Sequence, residues 1–150
     1  MVLKDHQNAA LEFEECVNVS KKIGLKKGVL YGLMNMAECY ALTDRLKLAK
    51  SAIIDIREIM RAFDEKCKET ALNEVRGIIA HQEKSYEAAC KRFEASIAGL
   101  TTLGTLPLNI GRSYLWMGLS YKELGKEDKS RQAFEKAHGY FKKGKAKTEL

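Results

Sequence analysis

Three histidines, His6, His81 and His138, are the strongest candidates for metal ligands or proton carriers in this sequence. A di-iron site between helices needs two Glu-x-x-His pairs and two further glutamates. His138 has a glutamate three positions earlier, Glu135, whereas His6 and His81 do not. Because one pair cannot complete such a site, we predict no metal site and no cofactor.

Four cysteines, Cys16, Cys39, Cys67 and Cys90, could supply thiolate chemistry or disulfides. They are widely separated along the chain and lack the close pairs that are typical of zinc sites. They fall within helical packing patterns, and not at helix N-termini beside a histidine, where a thiolate is stabilised. A phosphate-binding loop, a G-x-S-x-G elbow and an H-E-x-x-H pair are also missing from the sequence. We predict reduced, mostly buried cysteines in a cytoplasmic protein that is not an enzyme.

The composition indicates one folded helical domain of ordinary size. The chain has 150 residues, of which 45% are hydrophobic and one is proline. It has no apolar run of the ~20 residues that span a bilayer, so we predict no membrane association.

Basic groups outnumber acidic groups two to one over positions 101–150, with lysines at 142, 143, 145 and 147. Lysines at a helix end complement the helix dipole, and this interpretation is favoured over nucleic-acid binding.

The chain repeats itself with a period of about 40 residues. Gly24, Asp64, Gly104 and Gly144 stand at equal intervals of this length. We call these four residues markers. A large apolar residue lies 10 or 11 positions before each marker. Smaller residues lie four positions before that large residue and three positions after it. The large residues are Phe13, Ile53, Phe93 and Phe134; the smaller ones are Ala9, Ala49, Ala89 and Ser130 before them, and Cys16, Ile56, Ser96 and Ala137 after them.

These spacings predict helix pairs. Residues at i, i+4 and i+7 share one helix face. The position just past the end of a helix often needs a positive φ, so we expect the Gly or Asp marker to end each helix. An earlier helix in three units carries a small residue, Ala37, Gly77 or Gly118, where we expect the closest contact with its partner. The expected buried rows are Leu33, Met36, Ala37 and Tyr40; Asn73, Arg76, Gly77 and Ala80, with Leu72, Val75 and Ile79 sharing the packing; and Tyr114, Met117, Gly118 and Tyr121.

Seven helices account for the whole pattern. The predicted spans are 5–22, 28–42, 46–62, 68–82, 86–102, 109–124 and 127–142, with Pro107 in a linker because it lacks a backbone donor. The first helix matches the second helix of a repeat and has no partner before it. Its apolar LEFEECVNV segment favours a fragment of a longer array over a polar N-terminal cap.

The residue order resembles the tetratricopeptide repeat. Its best copy is Tyr114, Met117, Gly118, Tyr121, Leu124, Gly125, Ser130, Phe134 and Ala137. The period found here resembles the long-repeat members of that family, since the usual repeat has about 34 residues. The resemblance implies an all-α solenoid of antiparallel helix pairs, about 3.5 repeats, in a single domain over residues 1–150. The implied units are a half repeat at 5–24 and repeats at 28–64, 68–104 and 109–144.

The resemblance also implies a concave surface lined by the first helix of each repeat, with a protein or peptide as partner. The residues implied for this groove are Tyr31, Met34 and Glu38; Glu74, Ile78 and His81; and Arg112, Leu115, Trp116, Leu119 and Lys122. Trp116 and Leu119 serve equally well as packing residues between repeats. Members that grip chaperone C-termini carry Lys, Asn and Arg at positions held here by Met34, Glu38, Val75, Arg112 and Trp116. Arg112 alone has the expected charge, so that subclass is disfavoured.

Two other functions stay open. The unpaired first helix would leave an apolar end, which predicts a self-associating scaffold, for example a homodimer through the N-terminal half repeat. The lysine-rich C-terminus is a weaker candidate for binding RNA or another anionic surface. A partner helix or an extended peptide with an acidic segment and apolar anchors fits the mixed groove.

Overall fold

The structure is a computed structural model that describes residues 2–61, 66–104 and 107–148. These residues form seven α-helices and no strand, which confirms the predicted all-α helical repeat. The helices are α1 (Val2–Lys22), α2 (Lys26–Leu42), α3 (Leu46–Arg61), α4 (Lys66–Gln82), α5 (Tyr86–Leu103), α6 (Pro107–Glu123) and α7 (Glu127–Thr148).

The chain divides into two compact units, Met1–Lys68 and Glu69–Leu150. In the first unit α2 packs against both α1 and α3, and in the second unit α6 packs against both α5 and α7. Neighbouring helices joined by short turns pack antiparallel, as in other helical hairpins. The single-domain boundaries drawn from the repeat pattern stay a prediction.

Four turns between helices share one hydrogen-bond pattern. The backbone N–H groups of Leu25, Arg45, Ser85 and Lys126 each donate to the carbonyl five positions earlier, at 2.8 to 3.0 Å. The residue before each donor has a positive φ, and these residues are Gly24, Asp44, Lys84 and Gly125. This is the Schellman arrangement, which satisfies the last carbonyls of a helix. The turns therefore repeat in geometry although Asp44 and Lys84 replace glycine.

Two predicted helix boundaries are wrong. Pro107 is the buried first residue of α6, not a linker residue. Proline fits there because the first helical N–H has no intrahelical partner. Gly144 lies inside α7 and does not end it; a Cβ at this position would stand 2.5 Å from Leu108 Cδ2. The glycine lies at a close contact between α6 and α7, and α7 continues to Thr148. Asp64, another predicted marker, lies outside the described residues.

The small residues of α4 and α6 make the same contact one repeat apart. A Cβ on Gly77 would stand 2.6 Å from Cε1 of Phe93, and a Cβ on Gly118 would stand 2.6 Å from Cε1 of Phe134. The Ser130 hydroxyl reinforces the second contact by donating to the Gly118 carbonyl at 2.8 Å. The predicted close approach at these two positions is confirmed. The two contacts define a register within the second unit, in which Gly77 corresponds to Gly118 and Phe93 corresponds to Phe134.

The middle copy packs as the sequence predicts. Leu72, Val75 and Ile79 are buried, while Asn73 and Arg76 are half-buried. Asn73 Oδ1 accepts a hydrogen bond from Arg92 of α5 at 3.3 Å. The apolar neighbours thus supply the packing that the two polar side chains cannot.

Candidate interaction surface

The predicted groove residues divide between the two units. Tyr31, Met34 and Glu38 lie on α2 of the first unit, and the other eight lie on α4 and α6 of the second. Tyr31 is 60% exposed and packs edge-on against Phe13 of α1, with ring centroids 6.0 Å apart. Met34 and Glu38 are half-buried. Tyr31 is therefore the most exposed of these three residues.

Helix α6 presents three distinct faces. At 100° per residue, Ser113, Trp116 and Ser120 share one face, which contacts the preceding helix pair. Tyr114, Met117, Gly118 and Tyr121 share a second, which faces α7. Arg112, Leu115, Leu119 and Lys122 share the third, an arc of about 80°. We call this third face, together with Glu74 and His81 of α4, the α4–α6 surface.

Trp116 belongs to the packing face. Its ring stacks on Phe93 at a centroid distance of 6.3 Å and an interplanar angle of 15°. It also contacts His81 edge-on at 5.3 Å, and His81 contacts Tyr86 in the same way at 5.1 Å. Phe93 is fully buried, and Trp116 is half-buried. Of the two roles predicted for Trp116, packing between repeats is the one that these contacts support.

His81 is held by a hydrogen bond to α6. Its Nδ1 lies 2.9 Å from the hydroxyl oxygen of Ser120, which is fully buried. Burial lowers the pKa of His81, and the carboxylate of Glu123 partly offsets that shift. Burial therefore favours the uncharged imidazole, and its contact with Ser120 joins α4 to α6.

Glu74 and Arg112 form an ion pair that links α4 to α6. Arg112 Nη2 lies 3.2 Å from Glu74 Oε1, which is shielded from solvent and makes no hydrogen bond. The Glu74 side chain is 16% exposed, and the Arg112 side chain is 40% exposed. Burial raises the pKa of Glu74 to about 7, and the adjacent guanidinium opposes that rise by favouring the carboxylate. Burial also lowers the pKa of Arg112.

The exposed stripe of α6 is apolar between two basic ends. Leu115 is 38% exposed and Leu119 is half-buried. Arg112 precedes them and the exposed Lys122 follows them. Ile78, also predicted for the groove, is fully buried, so its side chain belongs to the packed interior of the second unit.

Buried hydroxyl groups are the polar feature that the sequence prediction missed. Ser96 of α5 and Ser113 of α6 are both fully buried, with their hydroxyl oxygens 3.1 Å apart. Together with Ser120 they form the polar contacts of the packing face of α6. Their spacing in the sequence could have revealed them. Ser113, Trp116 and Ser120 recur at intervals of three and four residues, which places them on one face of the helix.

The described thiols and metal-ligating side chains are dispersed and not clustered. They contain no group of three or more His, Cys, Asp or Glu residues arranged to bind a metal ion. Cys39 and Cys90 are buried and Cys16 is half-buried, all three as free thiols, and the Cys67 side chain lies outside the described part. Burial raises the pKa of both Cys39 and Cys90, which disfavours the thiolate.

Two comparisons bear on identity. Residues 111–141 match the family model described as Tetratricopeptide repeat. The matched segment comprises most of α6 and of α7. No curated relative is matched by the chain at a significant level. Among the helices of the described residues, none is both long and apolar enough to cross a membrane.

Proposed function

We propose that this chain, whose residues 111–141 match the tetratricopeptide repeat, is a non-catalytic module that binds a peptide of a partner protein through the α4–α6 surface. The matched repeat supports the coarser statement that the chain is a protein-interaction or scaffold module, a class that is generally non-catalytic. The free thiols at Cys16, Cys39 and Cys90 favour a cytoplasmic setting for it.

The exposed stripe of α6 is the observation that carries the proposal. The packing and α7-facing residues of this helix are engaged within the unit, whereas Leu115 remains 38% exposed between Arg112 and Lys122. Apolar groups flanked by cations are suited to a ligand that pairs apolar side chains with carboxylates.

The helix geometry specifies the ligand further. Arg112 and Lys122 are separated by about 15 Å along the helix axis, at a rise of roughly 1.5 Å per residue. An extended peptide covers that distance in four or five residues, at roughly 3.3 Å per residue. The proposed ligand therefore has two acidic residues four or five positions apart with apolar side chains between them. Arg112 can bind a ligand carboxylate while it stays paired with Glu74, because a guanidinium has five N–H donors.

The first unit carries the remaining residues predicted for the groove. Met34 and Glu38 occupy the positions of Glu74 and Ile78 one repeat earlier. We propose that the exposed Tyr31 ring, beside these two residues on α2, is an aromatic contact for a ligand on the first unit by itself.

Selection of peptides from a random display library tests this function. We expect enrichment of the acidic, apolar, acidic pattern on the intact chain. We further expect Leu115→Glu to weaken a selected peptide at least about tenfold, since it removes an apolar contact and repels the ligand carboxylates.

Ile54→Glu is the matched control, because Ile54 is 60% exposed on α3 and lies outside the proposed surface. It should leave the affinity unchanged. Selection of peptides without acidic residues, or equal affinity for the Leu115→Glu variant with its circular dichroism preserved, would contradict the proposal.

A self-associating scaffold is the second candidate, and an exposed apolar stripe on α1 favours it. Leu11 is 65% exposed, Val19 is 50% exposed and Ile23, just after the helix, is 68% exposed. If this stripe forms a dimer contact, the mass measured by light scattering will double with increasing concentration, and Leu11→Lys with Ile23→Lys will restore the monomer. A constant monomer mass would exclude it.

A further inference from the structure

Three lysines of α7 recur at intervals of seven residues, and each places its ammonium group over a tyrosine ring. The pairs, with the distance from Nζ to the ring centroid, are Lys129 and Tyr121 at 5.7 Å, Lys136 and Tyr114 at 5.5 Å, and Lys143 and Tyr140 at 5.2 Å. Seven residues span about 10.5 Å of helix, so the cations form a nearly straight row about 21 Å long. We call these six residues the Lys–Tyr row.

The tyrosine rings of the row come from two helices. Tyr114 and Tyr121 lie on α6, and Tyr140 lies on α7. The rings of Tyr114 and Tyr140 stack with their centroids 5.7 Å apart and an interplanar angle of 14°. All three tyrosines are half-buried. Each ring is therefore held by its neighbours and keeps part of its surface in contact with solvent.

The positive charge of the row is not neutralised within the described part of the chain. All three lysines are exposed, and none of them forms an ion pair with a described residue. The acidic residue of α7 in this stretch, Glu135, lies about 100° around the helix from Lys136. Glu94 of α5 contacts the row by accepting a hydrogen bond from the Tyr121 hydroxyl at 3.3 Å. The row is thus a surface of net positive charge.

A small open cavity lies between two of the Lys–Tyr pairs. Its volume is about 180 Å³, and its lining residues are Tyr114, Met117, Tyr121, Lys129, Gln132, Ala133 and Lys136. Met117 and Ala133 are buried and contribute its apolar part. Cavities of about 150 Å³ admit a benzene-sized ring. This cavity therefore suits the six-membered ring of a pyrimidine, and the Gln132 amide can both donate to and accept from the edge of such a base.

Cations that alternate with aromatic rings are typical of surfaces that bind single-stranded nucleic acid. The cations contact phosphates, and the bases stack on the rings. An acidic peptide would use the cations and leave the ring faces unused. The sequence did not reveal this alternation, because two of the three rings belong to α6 and reach the lysines only through the packing of α6 on α7. The free thiols favour a cytoplasmic setting, in which the expected single strand is RNA.

We propose that the Lys–Tyr row binds single-stranded, pyrimidine-rich RNA, with phosphates on its lysines and one base in the cavity between Tyr114 and Tyr121. This site is distinct from the α4–α6 surface, because it uses the face of α6 that contacts α7. It also differs from the lysine cluster at the end of α7, with which it shares Lys143 alone.

Binding of a fluorescein-labelled uridine oligonucleotide of about 12 residues to the intact chain, followed by anisotropy, tests the proposal. We expect saturable binding that weakens as salt is added. Three phosphate contacts to a single strand predict a slope of about −2 for log K against log salt concentration. Lys136→Gln removes one contact, so it should weaken binding and change the slope to about −1.4.

Lys142→Gln is the matched control for the charge. Lys142 is exposed on the same helix and lies about 120° around it from Lys136. This variant should leave both the affinity and the salt slope unchanged. Equal effects of the two lysine variants would overturn the proposal, because the strand would then respond to net charge and not to the row.

Stacking is tested at Tyr121. Tyr121→Leu is expected to weaken the uridine strand at least about fivefold without changing the salt slope, since it removes a ring and no charge. Tyr121→Phe keeps the ring and removes the hydrogen bond to Glu94, so it should bind as the natural chain does. Circular dichroism checks that both variants are folded. An unchanged affinity in a folded Tyr121→Leu variant would contradict base stacking.

Competition by unlabelled strands identifies the class of ligand. An oligoglutamate of equal charge should compete at least about tenfold more weakly than the uridine strand, because it has no bases to stack. An adenine strand of equal length should also compete more weakly, because its two-ring base is larger than the cavity. Absence of saturable binding, or equal competition by the oligoglutamate, would overturn RNA as the ligand. Equal competition by the adenine strand would overturn the placement of a pyrimidine in the cavity.

Discussion

Replacement of Gly77 by alanine is expected to destabilise the second unit by about 1–3 kcal/mol, the usual effect of overpacking a core. Alanine is the better helix former by roughly 1 kcal/mol, so propensity alone predicts the opposite sign. The new Cβ would stand 2.6 to 2.9 Å from three atoms of the Phe93 ring. That ring is fully buried and stacked against Trp116, so it has no space into which to move.

Gly139→Ala is the matched control for this prediction. Gly139 is exposed within α7, and a Cβ there would meet no atom within 4 Å. We expect this variant to gain about 0.5–1 kcal/mol from helix propensity. In a Phe93→Leu background the penalty of Gly77→Ala should shrink, because the clashing ring is absent. Urea denaturation followed by circular dichroism measures all four variants, and a stabilising Gly77→Ala would contradict the packing interpretation.

Glu74→Gln is expected to stabilise the protein relative to the natural chain as the pH rises, by up to about 3 kcal/mol above pH 7. The folded pKa of Glu74 is about 7, above its ordinary value of 4.5, because the carboxyl is buried. Between these values the folded state binds more protons than the unfolded state. The stability linked to Glu74 is therefore fully present below pH 4.5 and is lost as the pH rises through 7.

Glutamine keeps the size of the side chain and cannot ionise, so it avoids this loss. Free energies of unfolding for both proteins between pH 4 and pH 8 provide the measurement, and the value at the acidic end is the internal reference. A difference that stays constant over this range would contradict the prediction. So would a Glu74→Gln variant that is less stable at pH 8, because the ion pair with Arg112 would then outweigh desolvation.

The helix pairs could be predicted because packing constraints recur along the chain. Gly77 and Gly118 make the same close contact with Phe93 and Phe134, where a Cβ would stand 2.6 Å from the ring, so the recurrence of small residues at this spacing indicated the contact. The same argument failed at Gly144. Its contact with Leu108 comes from the start of α6, and a glycine at a close helix contact looks identical in sequence to one that ends a helix.

The candidate surface could be predicted less completely. Helical spacing placed Arg112, Leu115, Leu119 and Lys122 on one face of α6, which follows from geometry within a single helix. It did not separate Trp116, which packs on Phe93, from the exposed Leu115, since both are large apolar residues on neighbouring faces. Helical spacing likewise did not distinguish Ile78, which is fully buried, from an exposed groove residue.

By itself, the sequence determined the number of helices, their pairing and the residues at their points of closest contact, because these depend on local periodicity and side-chain size. Tertiary structure alone decided which polar groups meet across helices: Glu74 with Arg112, His81 with Ser120, and Ser96 with Ser113. Such pairings, and the burial that raises the pKa of Glu74, depend on the angle and height at which separate helices pack. No pattern within one helix encodes that relation.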